Sequence, residues 1–241
     1  MDSIANRYHA ILERVDQAAQ RSGRSAESIT VVAVSKTQPH DALIEAYAAG
    51  VRHFGENRSA EFAQKVTTLA RLSDANWHYI GNLQTRQSLP IAQYADQFHA
   101  VDRLKIAQRL SRQLVELDRT LPVFIEVNVS GEASKHGFQC GDWEDNGQQR
   151  DALLHAVATI SALPRIAVQG LMTMAPWGVD ETIVRTVFQR TRALDNWLCS
   201  QMPDHDWQHL SMGMTDDFEI AIEEGATHVR IGRAIFGERT Y

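Results

Sequence analysis

The chain has only two cysteines, Cys140 and Cys199, far apart and outside any CxxC spacing. Their scarcity excludes a disulfide framework and a cysteine-built zinc site; it suits a reducing cytoplasm, with both read as small or surface side chains. No run of about 18 apolar residues occurs, so no membrane span is expected. The start, MDSIANRYHA, has no basic segment leading into an apolar one, so secretion is not expected either. Positive charge is not clustered: 24 Lys and Arg lie scattered among 30 Asp and Glu, for a formal net charge of −6. That pattern lacks the footprint of a nucleic-acid binder and predicts small-molecule partners. Neither paired carboxylates nor a Ser-His-Asp spacing emerges around the histidines, so no metal site is expected. No linker, low-complexity tract or internal repeat marks a domain boundary.

What is present is an alternation. Ile4, Tyr8, Ile11, Leu12, Val15 and Ala19 recur at helical spacing, predicting an amphipathic helix within 1–22 that packs on the remainder of the chain. After it come eight short apolar runs: TVVAVSK (30–36), VRHFG (51–55), WHYIG (77–81), QFHAVD (97–102), VFIEVNVS (123–130), IAVQGLMT (166–173), WQHLSMG (207–213) and THVRIG (227–232). Helical patterns separate them, clearest in Ile106, Leu110, Leu114 and Leu117 and in Val184, Val187, Phe188, Thr191, Leu194 and Trp197. Eight strand-helix units in 241 residues, 44% hydrophobic, predict a single (β/α)8 TIM barrel over 1–241, with functional residues at the C-terminal ends of the strands. An open doubly wound sheet is the alternative, but the first strand-to-helix turn, SKTQPHD, has no glycine fingerprint for a dinucleotide. The polar loop CGDWEDNGQQRD (140–151) reads as a solvated excursion.

Alternate residues of a strand face opposite sides of its sheet. Val123, Ile125, Val127 and Val129 should therefore face the helices and Phe124, Glu126 and Asn128 the barrel interior. In THVRIG, Val229 and Ile231 should face outward and His228, Arg230 and Gly232 inward. Lys36 shares a side with Val32 and Val34. A lysine at a buried strand end loses hydration when charged, so its free base becomes available to condense with an aldehyde or ketone; alternatively the strand has ended and Lys36 lies in solvent.

Ser211, Gly213 and Thr215 fall at a strand-to-helix junction, where hydroxyls and backbone N–H groups can hold an anion; otherwise Thr215 or Asp216 is an ordinary N-cap. Gly232 opens the last helix, and the turns after strands seven and eight are the usual phosphate cradle of such barrels. Arg230, two residues earlier, would keep a ring nitrogen facing it unprotonated, or else it pairs with Glu126. Asn57 is a helix N-cap or an amide contacting a ligand, and His78 a ligand contact or a satisfied core histidine beside Gly81.

AVSKTQP, FGEN, WHYIGNLQ, IEVNVSGEASKHGF, GLMTMAP, LSMGMTDDFEIAI and VRIGRAIFG, in this order along nearly the whole chain, resemble the YggS/PROSC family of pyridoxal 5′-phosphate (PLP) homeostasis proteins. The resemblance implies a fold-type III barrel like the N-terminal domain of alanine racemase, with PLP held by Lys36 as an internal aldimine. It implies Asn57 beside the cofactor ring, Ser211, Gly213 and Gly232 with neighbouring backbone amides at its phosphate, and Arg230 facing its ring nitrogen; His78, Thr215 and Arg233 are the further cofactor-binding candidates. Many members carry proline where Asn82 stands and threonine where Arg233 stands. Lys135, in EASKHG, resembles a family position near the site, from which it could take PLP transiently during transfer; the default alternative is an exposed loop lysine. Racemisation in the related enzymes takes its second base from a tyrosine on an additional domain. None of the five tyrosines here is an obvious substitute, and an unprotonated ring nitrogen is a weak electron sink. The expected function is thus a cytoplasmic, monomeric PLP carrier or regulator that delivers the cofactor to apo-enzymes, with catalysis not its main role. The alternatives are a weak amino-acid racemase or decarboxylase and a PLP-free Schiff-base aldolase.

Overall fold

The computed structural model describes residues 3–205, 207 and 209–237. All eight predicted apolar runs contain strands: β1 (Thr30–Val34), β2 (His53–Glu56), β3 (Asn76–Tyr79), β4 (Gln97–Val101), β5 (Leu121–Asn128), β7 (Ile166–Met172), β8 (His209–Ser211) and β9 (His228–Ile231). They pair in parallel in the order β4-β3-β2-β1-β9-β8-β7-β5, and β4 also pairs with β5, so the sheet closes on itself as a (β/α)8 barrel. The extra strand is β6 (Phe138–Gln139), two residues laid beside Val127 and Asn128 of β5.

The crossover helices are α2 (His40–Ala48), α3 (Ser59–Thr68), α4 (Leu89–Tyr94), α5 (Leu104–Glu116), α6 (Gly147–Ser161), α7 (Glu181–Gln201), α8 (Phe218–Glu223) and α9 (Arg233–Phe236). The predicted N-terminal helix is α1 (Ile4–Arg21), capped by Ser3, whose hydroxyl accepts from the Asn6 N–H; the first two residues lie outside the described positions. It buries Ile4, Tyr8, Ile11, Val15, Ala18 and Ala19 and leaves Leu12 facing out. Its polar flank fastens it to the last two helices through Arg14 on Glu219 and Arg7 on the Ile235 carbonyl.

Side-chain parity is as expected. Phe124 meets the rings of His99, His209 and His228 inside the barrel. Val32 of β1 lies in register with Arg230 of β9, which puts both on the interior face. Of the two readings of Lys36, the strand has ended: β1 stops at Val34 and Lys36 lies two residues beyond it, half-buried rather than in open solvent. One expectation fails. The segment 140–151 is not a solvated excursion: Cys140 and Trp143 are buried, and α6 begins within it at Gly147, capped by Asn146. Its polar residues decorate a turn whose apolar members are core, which a composition average conceals. WQHLSMG also shrinks to three strand residues, with Gln208 outside the described positions.

Candidate functional site

The turn carrying Lys36 is held from beneath by a buried ion cluster. Lys65, on α3, donates at 2.7 Å to each of the Ser35 carbonyl, Glu56 Oε1 and Glu61 Oε1. The Ser35 hydroxyl donates to the same Glu56 oxygen at 2.6 Å, and the Thr37 N–H donates to Glu61 Oε1 at 2.6 Å. Thr37 has φ 65°, a left-handed conformation unfavourable for a β-branched residue, so these bonds hold the turn against its local preference. Glu56 is fully buried and its other oxygen, Oε2, has no hydrogen-bond partner. Burial pushes its pKa up, while Lys65 and Ser35 pull it back. The buried lysine near β1 is therefore Lys65. Lys36 itself is half-buried, on a turn whose neighbours are locked.

Across the mouth, the turns after β8 and β9 come together. Gly213 has φ 93°, and a Cβ there would fall 2.6 Å from Ala221 Cβ, so only glycine lets this turn lie on α8. Arg233 at the start of α9 donates to both oxygens of Asp216 (2.7 and 2.9 Å), lacing the two turns together. A Cβ on Gly232 would sit 3.2 Å from the Val34 carbonyl, placing this turn against the end of β1. Thr215 and Asp216 do not cap α8. The cap position falls on Asp217, which accepts the Met214 N–H at 2.5 Å, so Thr215 is half-buried in the turn.

Arg230 does not pair directly with Glu126. Its Nη1 donates to Ser211 Oγ at 2.6 Å and its Nη2 to the Thr173 carbonyl at 2.9 Å. Burial brings its pKa down to about 10, countered by the charges of Asp217 and Glu126, so it remains a cation at neutral pH. Glu126 instead accepts from the Asn82 side chain at 3.2 Å, a contact proline at that position could not supply. Burial and then the Asp102 charge raise Glu126 to about 7, against the pull of Arg230 and Asn82.

Asn57 follows β2 directly. Its Oδ1 is buried with no hydrogen-bond partner, as expected of an amide awaiting a ligand donor; the N-cap of α3 is Arg58. Gly81 sets its position, for a Cβ there would come within 2.4 Å of the Asn57 carbonyl oxygen. His78 is fully buried with both ring nitrogens bonded to other histidines, so it is a core group and not a direct ligand contact. Lys135 is not an exposed loop lysine. It donates to the Met174 carbonyl (2.9 Å) and Ser130 Oγ (3.1 Å) and pairs with Glu132, joining the loops after β5 and β7.

The structure thus gathers Lys36, Asn57, Ser211, Gly213, Thr215, Arg230, Gly232 and Arg233 at the C-terminal end of the barrel and leaves His78 deeper. Among the described residues, no group of three or more His, Cys, Asp or Glu is placed to hold a metal. Sequence reasoning missed Lys65, Glu56 and Glu61. Their available signal was the Glu61–Lys65 i,i+4 pair on a helix whose apolar stripe passes through Phe62 and Lys65 itself. The arrangement suits a ligand with an anionic end held by two glycine-bearing turns, a ring acceptor toward a fixed guanidinium, and a carbonyl within reach of an amine.

Known proteins carry the same frame. Residues 7–240 match the family described as alanine racemase, N-terminal domain. The pyridoxal phosphate homeostasis protein of Pseudomonas aeruginosa is 43% identical over 241 residues, covering 100% of this chain and 98% of that one. Its counterpart in Escherichia coli is 38% identical over 244 residues, covering 100% and 99%. PipY of Synechococcus elongatus, solved with PLP bound, superposes with a TM-score of 0.80 at 34% identity, over 94% of this chain and 100% of that one. An alanine racemase of Clostridium difficile, 14% identical with a TM-score of 0.68, matches over 95% of this chain and 60% of that one and shows the shared fold.

Proposed function

The chain belongs to the pyridoxal phosphate homeostasis proteins, within the alanine racemase N-terminal domain family, and from that premise we propose how its residues hold the cofactor. Lys36 supplies the amine that bonds the cofactor covalently. The Ser211–Asp217 and Gly232–Arg233 turns enclose the phosphate, Asn57 offers its unpartnered Oδ1, and Arg230 presents a permanent donor to the ring nitrogen. PLP, when bound, contributes a reactive aldehyde and a ring that can withdraw electrons. The chain's own groups restrain that chemistry, because Arg230 stays charged to about pH 10 and favours an unprotonated ring nitrogen. Relatives are named homeostasis proteins rather than enzymes, which supports a carrier that masks the aldehyde and delivers it to apo-enzymes.

The observation that carries this reading is the β1–β9 pairing. It sets Val32 beside Arg230 and brings the Gly232 turn so close that a Cβ there would sit 3.2 Å from the Val34 carbonyl oxygen, two residues before Lys36. The same reading takes residues 1–241 as one domain, with α1 fastened to it, acting as a monomer. It places the protein in the cytoplasm, in keeping with cysteines that are both free. Borohydride reduction of PLP-loaded protein, followed by peptide mapping, should fix one cofactor mass on the Lys36 peptide, and Lys36→Ala should abolish it without loss of folded stability. A label on another lysine, or none, refutes the assignment. Colourless protein that turns over a phosphosugar would instead favour the aldolase, and exchange of amino-acid α-protons would favour the racemase.

A further inference from the structure

A line of hydrogen bonds runs through the barrel interior from its base to Arg230. His53 Nδ1 lies 2.9 Å from His78 Nε2, and His78 Nδ1 lies 2.9 Å from His99 Nε2. His99 Nδ1 is 2.8 Å from Ser211 Oγ, which accepts from Arg230 Nη1 at 2.6 Å. His53 is the first residue of β2 and half-buried, whereas His78, His99 and Ser211 are fully buried.

The chemistry of the end groups gives the line a direction. A guanidinium only donates, so the Ser211 oxygen accepts there and its own hydrogen is left for His99 Nδ1. A neutral imidazole carries one proton, which puts the His99 proton on Nε2, facing His78 Nδ1. The same step places the His78 proton on Nε2, facing His53 Nδ1. Run the other way, the line would make Ser211 accept twice and strand its hydroxyl hydrogen in the core, which buried polar groups avoid. Burial keeps the rings uncharged: His78 and His99 are held well below the ordinary histidine range, and His53 is lowered.

We propose that Ser211, His99, His78 and His53 form one directed hydrogen-bond chain that couples the protonation of His53 at the barrel base to Arg230 at the mouth. His99 and His78 act in it as positioning residues. When His53 is charged, its Nδ1–H points at His78 Nε2, so each shared hydrogen lies one atom nearer His53. The hydrogen that Ser211 has passed on is replaced by the one proton taken up from water. Ser211 then accepts from both His99 and Arg230, and its hydroxyl turns away. The groups facing His53 are His78 from β3, His99 from β4, His228 from β9 and Asp96 before β4; β1 brings no titratable side chain. His228 stays neutral, its pKa lowered to about 3 by burial first, and Asp96 favours a charged His53. Only the effect on the cofactor rests on the function proposed above.

Two-bond 1H–15N spectra of cofactor-free, 15N-labelled protein at pH 8 should show His53, His78 and His99 as neutral rings protonated at Nε2. Protonation of His78 or His99 at Nδ1, or an imidazolium at either, overturns the chain. On acidification, His99 should exchange its protonated and bare nitrogens at the midpoint at which His53 charges. A His99 that keeps its Nε2 proton through that midpoint overturns the coupling. His53→Phe, at the half-buried end, should leave His99 protonated at Nε2 throughout, and a His99 that still switches there refutes the role of His53. In PLP-loaded protein the visible band should shift at the His53 midpoint and not in His53→Phe; a band indifferent to His53 refutes the reach to Arg230. Failure of the cofactor reading would look different: no band at all, with the tautomers unchanged.

Discussion

Lys65→Met tests whether the ion cluster under Lys36 holds the turn. Methionine keeps most of the lysine stem, so little packing volume is lost. What disappears is an ammonium that is 4% exposed and makes three contacts of 2.7 Å. Glu56 then keeps only the Ser35 hydroxyl for one carboxylate oxygen, the other having no partner already. Removing one member of a buried pair costs about 3–5 kcal/mol, because the remaining charge is stranded. At about 2–4 °C per kcal/mol for a chain of this size, Tm should fall by roughly 6–20 °C. Urea unfolding at pH 7, followed by circular dichroism, measures the loss directly. The loss should shrink toward pH 5: burial already raises the Glu56 pKa, and without Lys65 the carboxyl is free to take up a proton. Adding Glu56→Gln should recover most of the stability, since the double variant buries no net charge, although the Ser35 carbonyl and Glu61 still lack their donor. PLP affinity should stay low in both variants, as the Lys36 turn is no longer tied down. A single variant within about 1 kcal/mol of wild type, or a double variant no better than the single, would show that the cluster contributes nothing specific.

Gly81→Ala drives a methyl to 2.4 Å from the Asn57 carbonyl, where only backbone can yield. It should cost about 1–3 kcal/mol in urea and weaken PLP binding in a spectroscopic titration; unchanged affinity would remove Asn57 from the site. Asp195 and Glu126 are each raised to about 7, first by burial, from 3.8 and 4.5. The folded state therefore binds these protons more tightly than the unfolded chain. Their contribution is fully favourable below about pH 4 and is lost as pH rises through 7. Asp195→Asn should accordingly be more stable than wild type by on the order of 4 kcal/mol at pH 8, with the gain shrinking toward pH 4. A gain independent of pH would refute that assignment.

The barrel was legible because parallel strands covered on both faces write themselves as short apolar runs, and parity then sorted Phe124, Glu126, His228 and Arg230 inward. Parity does not measure distance. Arg230 and Glu126 share the interior, but register sets one beside Val32 and the other beside Met172, so no direct pair forms. Lys36 reads as a strand end because the apolar run leads straight into it; β1 stops at Val34, and Ser35 beyond it is buried through its bonds to Gly55 and Glu56. The histidine line joins positions 53, 78, 99 and 211 across four strands, and no local pattern records which strands are neighbours. Lys65 was missed for the opposite reason: a helix lysine with an i−4 glutamate ordinarily marks a solvated face, and only its place on the stripe with Phe62 signals otherwise.

The two hidden networks divide one task. The Lys65–Glu56 cluster fixes the ends of β1 and β2, and the Arg230–Ser211–His99 line fixes β8 and β9, so the amine and the guanidinium are each anchored by buried polar groups where apolar filling would ordinarily serve. Well-packed apolar residues of similar volume are often as stabilising as a buried ion pair or more so. The barrel therefore holds less stability at its mouth than its size allows, in exchange for orientation. Replacing Glu56 and Lys65 together by Gln and Met should then separate the two properties: a protein that folds nearly as firmly as the original but binds PLP poorly. A double variant that kept full affinity would mean that Lys36 finds its place without them, and that the geometry of the mouth resides in the strands alone.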